Sequence, residues 1–216
     1  MRTGDSGCAL RLLRTVWGVL STGIGGGEPI FYFDVGSPYA WLSAERVDDL
    51  LDPAPSWRPV LLGALFKQLG RGSWARTDAR RRGMAEIESR AVARGLPPVR
   101  WPYPWPNDGL AAMRIAAYAE LVGAARAFAL AAFRVHFVEG HALSEWYALA
   151  RAVSAAGLSR EAMEAPFDPE VKRHLRRLTE EASAAGVFGV PTVAVAGERC
   201  WGDDGLDALA ARLRRR

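Results

Sequence analysis

Cysteine is scarce in this chain. Cys8 and Cys200 are the only two among 216 residues, and no Cys-x-x-Cys pair occurs. Their separation matches neither a metal site nor a dithiol redox motif, so the sequence excludes both kinds of cysteine chemistry. Free thiols are typical of a reducing compartment, and we predict a cytoplasmic protein. Histidine is scarce too: His136 and His141 are five positions apart, which does not align them on one helix face, so no metal site is predicted.

Lysine is almost absent, with Lys67 and Lys172 as the only two, and the net charge of +4 is carried by arginine. Arginine is densest at 80–82, 173–177 and 214–216, which we interpret as solvated helix faces and a charged C-terminal end. The sequence shows no basic face interleaved with aromatic residues and no nucleic-acid-binding module. No apolar run reaches the length of a membrane span. We therefore predict neither a nucleic-acid partner nor a membrane partner.

The first 28 residues carry a weak resemblance to an export signal. Arg11 and Arg14 precede an apolar run, but that run is rich in glycine and lacks an Ala-x-Ala cleavage site. We predict that residues 1–28 form a disordered N-terminal extension, with the three glycines at 25–27 as a linker.

Two short motifs carry most of the chemical information. Residues 31–42 (FYFDVGSPYAWL) are typical of a buried strand that turns directly into a helix, with Ser37 as the N-cap and Pro38 at the first helical position. A helix N-terminus offers backbone N–H groups and a positive dipole end, which together stabilise an anion such as a thiolate. Near the other end of the chain, Val190-Pro191 is a candidate cis peptide bond that leads into a strand.

The rest of the pattern predicts a strand–helix–strand unit, a long helical region and a final hairpin with a helix. The first two strands are predicted to be parallel because a helix connects them. Alanine-rich helical periodicity then extends to residue 185, and the last helix is predicted to be capped by Asp203. The predicted strands are 29–35, 57–62, 192–196 and 199–201, and the predicted helices are 38–51, 78–94, 108–121, 124–138, 144–155, 159–164, 168–185 and 203–213.

Segments 34–42, 186–192 and 201–204 together resemble the 2-hydroxychromene-2-carboxylate isomerases. These enzymes are relatives of the kappa-class glutathione transferases and of the DsbA-like oxidoreductases. The resemblance covers about residues 29–213 and implies an α/β thioredoxin-like fold with a large all-helical insertion domain. The implied division is a thioredoxin-like domain at 29–64 and 186–216 with a helical insertion at 65–185.

The resemblance implies a glutathione-dependent isomerase of aromatic catabolism that forms a homodimer. Such an enzyme interconverts 2-hydroxychromene-2-carboxylate-type acids and trans-o-hydroxybenzylidenepyruvate-type acids. The implied catalytic residue is Ser37, whose hydroxyl and helix would stabilise the thiolate of glutathione, so that the nucleophile belongs to the cofactor.

The resemblance also implies the residues around the cofactor. The backbone of Val190, beside Pro191, would pair with the cysteinyl part of glutathione, while Asp203 and Asp204 would hold its γ-glutamyl end and Lys67 its glycyl carboxylate. The implied substrate-binding residues are Asn107 and Tyr103 on the proline-rich loop at 101–107, which with Trp105 and either Tyr39 or Trp41 would form an aromatic slot. The alternative is that these aromatic residues belong to the core, which we favour for Trp41.

The chain departs from these relatives at two places, and two other functions stay open. Gly205 stands where relatives carry arginine, and the loop at 70–77 lacks their proline and asparagine, so another low-molecular-weight thiol is an alternative to glutathione. The alternative functions are a kappa-class-like glutathione transferase, and a non-catalytic thioredoxin-like module that lacks Cys-x-x-Cys and binds a peptide at the Val190 edge.

Overall fold

Four short strands form one mixed sheet in the computed structural model, which describes residues 28–214. The strands are β1 (Ile30–Phe33), β2 (Ser56–Pro59), β3 (Thr192–Val195) and β4 (Glu198–Trp201), in the spatial order β2-β1-β3-β4. β1 is parallel to β2, antiparallel to β3, and β3 is antiparallel to β4. The predicted extension at 1–28 lies outside the described residues except for residue 28.

The described helices follow the predicted order, except that the helix at Leu62–Gln68 was not predicted, and most of them lie between β2 and β3. They are α1 (Pro38–Ala44), α2 (Val47–Leu50), α3 (Leu62–Gln68), α4 (Arg80–Ala93), α5 (Leu110–Leu121), α6 (Ala125–Phe133), α7 (Trp146–Ala155), α8 (Pro169–Ala184) and α9 (Asp203–Leu213). Short 3-10 turns occur at Trp74–Arg76 and Arg160–Met163, and a π-helical turn at Arg134–Val138 follows α6. No helix among residues 28–214 is long and apolar enough to span a membrane.

The centre of the core is the sheet with its aromatic side chains. Phe31 and Phe33 on β1 are fully buried, and Trp57 on β2 packs edge-on against both, with ring centroids 4.8 and 5.7 Å away. Buried aromatic and aliphatic side chains of this kind supply most of the free energy that holds a fold together. This packing fixes the strands, and with them the positions at which the turns after the strands begin.

The two largest boundary differences from the prediction concern the first helix and the second strand. The predicted helix at 38–51 is broken after residue 44, where Arg46 leaves helical geometry with φ −135° and extends its side chain toward α9. The predicted strand at 57–62 stops at Pro59. Val60 N still donates to Phe33 O on β1, but the following two N–H groups bond to side chains: Leu61 N donates to Thr179 Oγ1 at 3.0 Å, and Leu62 N to Asp34 Oδ2 at 2.9 Å. α3 begins at Leu62 and so crosses the predicted domain boundary at residue 64. The division into domains stays a prediction.

Candidate functional site

A cavity of about 410 Å³ lies where β1 ends and β3 begins. This volume is within the range of small-molecule sites. Its walls come from the turn between β1 and α1, the start of α3, the 3-10 turn at Trp74–Arg76 and α4. The proline-rich loop at 101–107, the segment before β3 and the start of α9 complete the lining. Segments that are far apart in sequence therefore share one pocket.

Ser37 lies on the wall of this cavity and caps α1 as predicted. Its Oγ accepts a hydrogen bond from Ala40 N at 3.2 Å, and the residue is 4% exposed. Capping uses a lone pair of the hydroxyl oxygen, so the hydroxyl hydrogen remains able to donate to a ligand. α1 is only seven residues long, which makes the hydroxyl, rather than a long helix dipole, the main donor of this turn.

The Val190-Pro191 bond is cis, which confirms the prediction, and both residues line the cavity. Pro191 O accepts from Gly202 N at 2.9 Å, which ties this segment to the start of α9. By contrast, within residues 28–214 neither the N–H nor the C=O of Val190 has a hydrogen-bond partner. Val190 therefore presents a free donor and a free acceptor to an extended ligand backbone.

Asp203 was predicted to cap α9, and this is wrong. The N-cap is Gly202, at φ 85°, and Asp203 is the first helical residue. Its side chain is fully buried and forms ion pairs with three arginines: Arg46 at 3.0 Å, Arg90 at 3.4 Å, and Arg94. A buried carboxylate needs such partners because burial removes its hydration. Although Asp203 lines the cavity, its oxygens are occupied by these partners.

Asp204 presents an available oxygen. Its Oδ1 accepts from Arg90 Nη1 at 2.6 Å and from Arg94 Nη2 at 3.4 Å, whereas Oδ2 has no partner within the described part of the chain. The side chain is 73% exposed. The hydrogen bond from Arg90 lowers the pKa of the Asp204 carboxyl below its usual value, so it is ionised at neutral pH.

Arg90 is the only cation among the described residues that line the cavity. Besides Asp204, its guanidinium bonds Glu86 at 2.9 Å and lies 5.8 Å from the centre of the Tyr39 ring. Burial, together with the neighbouring Glu86 carboxylate, raises the pKa of the Tyr39 hydroxyl. Both charges of the Glu86–Arg90 pair therefore face the cavity close to Tyr39.

Part of the cavity wall is aromatic. Tyr39, Trp74 and Trp105 form a continuous series, with ring centroids 6.2 Å apart between the first two and 5.5 Å apart between the last two. Trp41, by contrast, is fully buried in the core.

Three of the predicted site residues do not line the cavity. Tyr103 is 94% exposed, and Asn107 donates from Nδ2 to Pro104 O within its own loop at 3.0 Å. Lys67 lies on the exposed surface of α3. The structure thus brings Ser37 and Val190 together but leaves these three predicted contacts outside the cavity lining, whereas Trp105 of the implied aromatic slot lies in it.

Sequence reasoning missed Arg90 and Trp74. The signal for Arg90 was its spacing: Glu86, Arg90 and Arg94 repeat every four residues, which places them on one helix face. Their orientation toward the aspartates of α9 depends on tertiary packing. No comparable local signal identified Trp74. Within residues 28–214, no group of histidine, cysteine, aspartate and glutamate side chains is arranged to hold a metal ion.

Comparison with known proteins places this geometry in a family. A model of the DSBA-like thioredoxin domain matches residues 30–214. No curated protein sequence matches the chain significantly.

Three solved structures share the fold. A 2-hydroxychromene-2-carboxylate isomerase is 22% identical with a TM-score of 0.76, over 88% of this chain and 95% of that one. A chain described as a probable DsbA oxidoreductase from Streptomyces coelicolor is 18% identical, with a TM-score of 0.66, over 87% and 88%. The cytosolic disulfide reductase DsbM from Pseudomonas aeruginosa, solved with GSH, is 16% identical with a TM-score of 0.57, over 87% and 100%. The predicted thioredoxin-like α/β fold is confirmed.

Proposed function

The chain belongs to the DSBA-like thioredoxin domain family, and from that premise we propose that it is a glutathione-dependent isomerase of aromatic catabolism. It interconverts 2-hydroxychromene-2-carboxylate-type acids and trans-o-hydroxybenzylidenepyruvate-type acids. One observation carries this proposal: Ser37 and the unpartnered backbone of Val190 face one cavity, in a chain whose reactive turn, residues 37–40, contains no sulfur. We therefore assign the nucleophile to a ligand, and a thiol is the ligand that these groups suit.

The polar groups of the cavity fit glutathione. Val190 offers a backbone N–H and C=O that match an extended peptide, as an open strand edge does. The free Oδ2 of Asp204 suits an ammonium group, and the N–H groups at the start of α9 suit a carboxylate. Ser37 supplies a hydroxyl donor for the sulfur. Together these residues would hold the cysteinyl and γ-glutamyl parts of the tripeptide.

When bound, glutathione supplies a thiolate that adds reversibly to a conjugated double bond and is released unchanged after rotation. The residues of the chain supply stabilisation and orientation. The Ser37 hydroxyl donates to the sulfur and so favours its ionised form, since a free thiol has a pKa of about 8.5. The aromatic wall holds the ring of the substrate and keeps water away from it. Arg90 places a positive charge where the conjugated acid gains negative charge.

The first test is whether Ser37 stabilises a bound thiolate. Ultraviolet difference absorbance is recorded while glutathione is added across a pH series to the native protein, to Ser37→Ala and to Asp168→Ala. Asp168 caps α8 through Glu170 N at 2.7 Å, so its variant controls for the loss of a helix cap alone. We expect a thiolate band at neutral pH in the native protein and in Asp168→Ala, but not in Ser37→Ala. A band of full intensity in Ser37→Ala would contradict the assignment of Ser37.

The second test concerns the reaction. 2-Hydroxychromene-2-carboxylate is incubated with the protein, with and without glutathione, and both isomers and the thiol are quantified. Isomerisation that needs glutathione without consuming it supports the proposal. Consumption of glutathione would indicate a kappa-class-like transferase. No glutathione-dependent turnover would contradict the proposal and favour the non-catalytic thioredoxin-like module. A cytoplasmic location and a homodimer remain part of the proposal.

A further inference from the structure

The Trp74 indole packs closely against the backbone of a helix. Trp74 lies in the 3-10 turn between α3 and α4, is half-buried, and lines the cavity. Gly83, in the first half of α4, lies against the six-membered ring of the indole. A Cβ atom at position 83 would lie 2.2, 2.4 and 2.8 Å from three carbon atoms of the Trp74 ring. Only glycine leaves room for this approach, although glycine inside a helix is less favourable than alanine.

The remaining contacts of Trp74 fix its backbone and its sides. Ser73 caps the 3-10 turn through Ala75 N at 3.2 Å, and the Thr77 side chain donates to Trp74 O at 2.8 Å. The Tyr39 ring packs edge-on against the indole, and the Trp105 ring lies at an angle of 51° to it. The indole therefore contacts the helix backbone at Gly83 and two aromatic rings, and it also lines the cavity.

A wall of this kind discriminates by shape. A flat aromatic ring can stack on the fixed indole while its edge meets Trp105, and both geometries are favourable between aromatic rings. A saturated ring of the same size is puckered, so it contacts the indole at a few hydrogen atoms. Because the close contact with Gly83 leaves the indole no space to move toward α4, this part of the wall cannot adapt to the thicker ring.

We propose that Trp74, held in place by Gly83, is the specificity-determining residue that makes the cavity select flat aromatic acids over puckered acids of the same carbon skeleton. The inference rests on the proposed function only in taking a ring-bearing acid as the substrate, and it requires no thiol. It concerns the loop at 70–77, in which this chain differs from the isomerases it resembles.

The direct test is binding without glutathione. Isothermal titration calorimetry compares 2-naphthoate with decahydro-2-naphthoate, which have the same skeleton and charge but differ in flatness. We expect the native protein to favour 2-naphthoate by about three- to tenfold, the range that aromatic pairing supplies. Trp74→Leu should abolish the preference, and Trp74→Phe should retain part of it. Lack of a preference in the native protein, or an unchanged preference in Trp74→Leu, would overturn the proposal.

The role of Gly83 is tested with a double-mutant cycle. Gly83→Ala should displace the indole and lower the affinity for 2-naphthoate in the native background, yet leave that affinity unchanged in the Trp74→Leu background. Gly63→Ala, on α3, is the matched control, because a Cβ atom there meets nothing within 4 Å. Equal losses from Gly83→Ala in both backgrounds would show that Gly83 does not act through Trp74. Circular dichroism confirms that each variant is folded.

These outcomes are separable from failure of the proposed function. If glutathione-dependent isomerisation is absent but Trp74 still governs the preference for 2-naphthoate, the specificity assignment stands and the activity does not. If isomerisation proceeds while the Trp74 and Gly83 variants retain the KM of the native protein for the aromatic acid, the activity stands and this inference fails.

Discussion

Asp34 and Leu62 are linked by a hydrogen bond: Asp34 Oδ2, just after β1, accepts from Leu62 N, at the first residue of α3, at 2.9 Å. The other carboxyl oxygen accepts from Gly36 N, also at 2.9 Å, within the turn that leads to Ser37. Burial raises the pKa of Asp34, while these two N–H groups act in the opposite direction. The Asp34 side chain therefore connects the turn that precedes α1 to the start of α3.

We predict that Asp34→Ala lowers the free energy of unfolding by about 2 kcal/mol, because two backbone N–H groups lose their acceptor. The turn should also loosen, so that glutathione binding weakens although Ser37 is intact. Urea denaturation and calorimetric titration measure the two effects. Asp49→Ala, at an exposed site on α2, should change stability by less than about 0.5 kcal/mol. Similar losses in the two variants would contradict this account.

Asp203 and Asp207 should differ sharply in their importance for stability. Asp203→Asn removes the charge that compensates Arg46 and Arg94, and removal of one partner of a buried ion pair costs about 3–5 kcal/mol. The Asp207 side chain is 46% exposed, and Asp207→Asn should cost less than about 1 kcal/mol because solvent screens its pairing with Arg46. Urea denaturation of both variants decides the matter, and equal losses would mean that the charge at Asp203 does not hold the arginines.

A buried histidine should make stability depend on pH. Burial lowers the pKa of His136 from 6.5 to about 4, while its Nδ1 donates to His141 O at 2.9 Å. Below pH 6.5 the unfolded chain therefore binds a proton that the folded chain does not accept until about pH 4. Stability should fall as pH decreases through this window, by at most about 3 kcal/mol from this group.

The variant His136→Gln should remove that part of the pH dependence. Urea denaturation at several pH values between 4 and 7 compares it with the native protein and with His141→Gln, whose side chain is 43% exposed. We expect the dependence on pH to be shallower for His136→Gln than for the native protein or for His141→Gln. Parallel curves for all three proteins would show that His136 is not the titrating group.

Asp204 should recognise the amino group of glutathione. Asp204→Asn leaves the size of the side chain unchanged but removes the charge on its free Oδ2. Because the site is exposed, we expect a loss of affinity of only about two- to fivefold for glutathione. Calorimetry with glutathione and with its analogue lacking the amino group provides the check. The native protein should distinguish the two ligands and the variant should not, whereas equal discrimination by both would exclude Asp204 from this contact.

The parts of the site that were predictable from sequence are those with local signals. Ser37 and Pro38 occupy positions that residue types alone favour at a helix start, and a Val-Pro pair before a strand indicates a candidate cis bond. The strand and helix order was predictable for the same reason. Its boundaries were less so, since the ends of β2 and α1 depend on side chains from distant segments: Thr179 for one and the aspartates of α9 for the other.

The aromatic part of the cavity wall was less predictable, because contacts between distant segments form it. Trp74 lines the cavity as a consequence of its packing on Gly83, a pairing that no periodicity indicates. The aromatic loop illustrates the same limit. Trp105 is 5% exposed and faces the cavity, while Tyr103, two positions earlier, is 94% exposed. Residue type alone did not distinguish between them.

The cavity also has a consequence for biosynthesis. Ser37 is among the first residues of the fold to leave a ribosome, whereas Asp203 and Asp204, which complete the cavity wall, are made more than 160 positions later. Until then, Arg90 and Arg94 lack their acidic partners on α9. We therefore expect a nascent chain that stops before residue 203 to lack the part of the cavity wall that α9 supplies. Completion of the proposed thiol site has to wait until the first turn of α9 has been made.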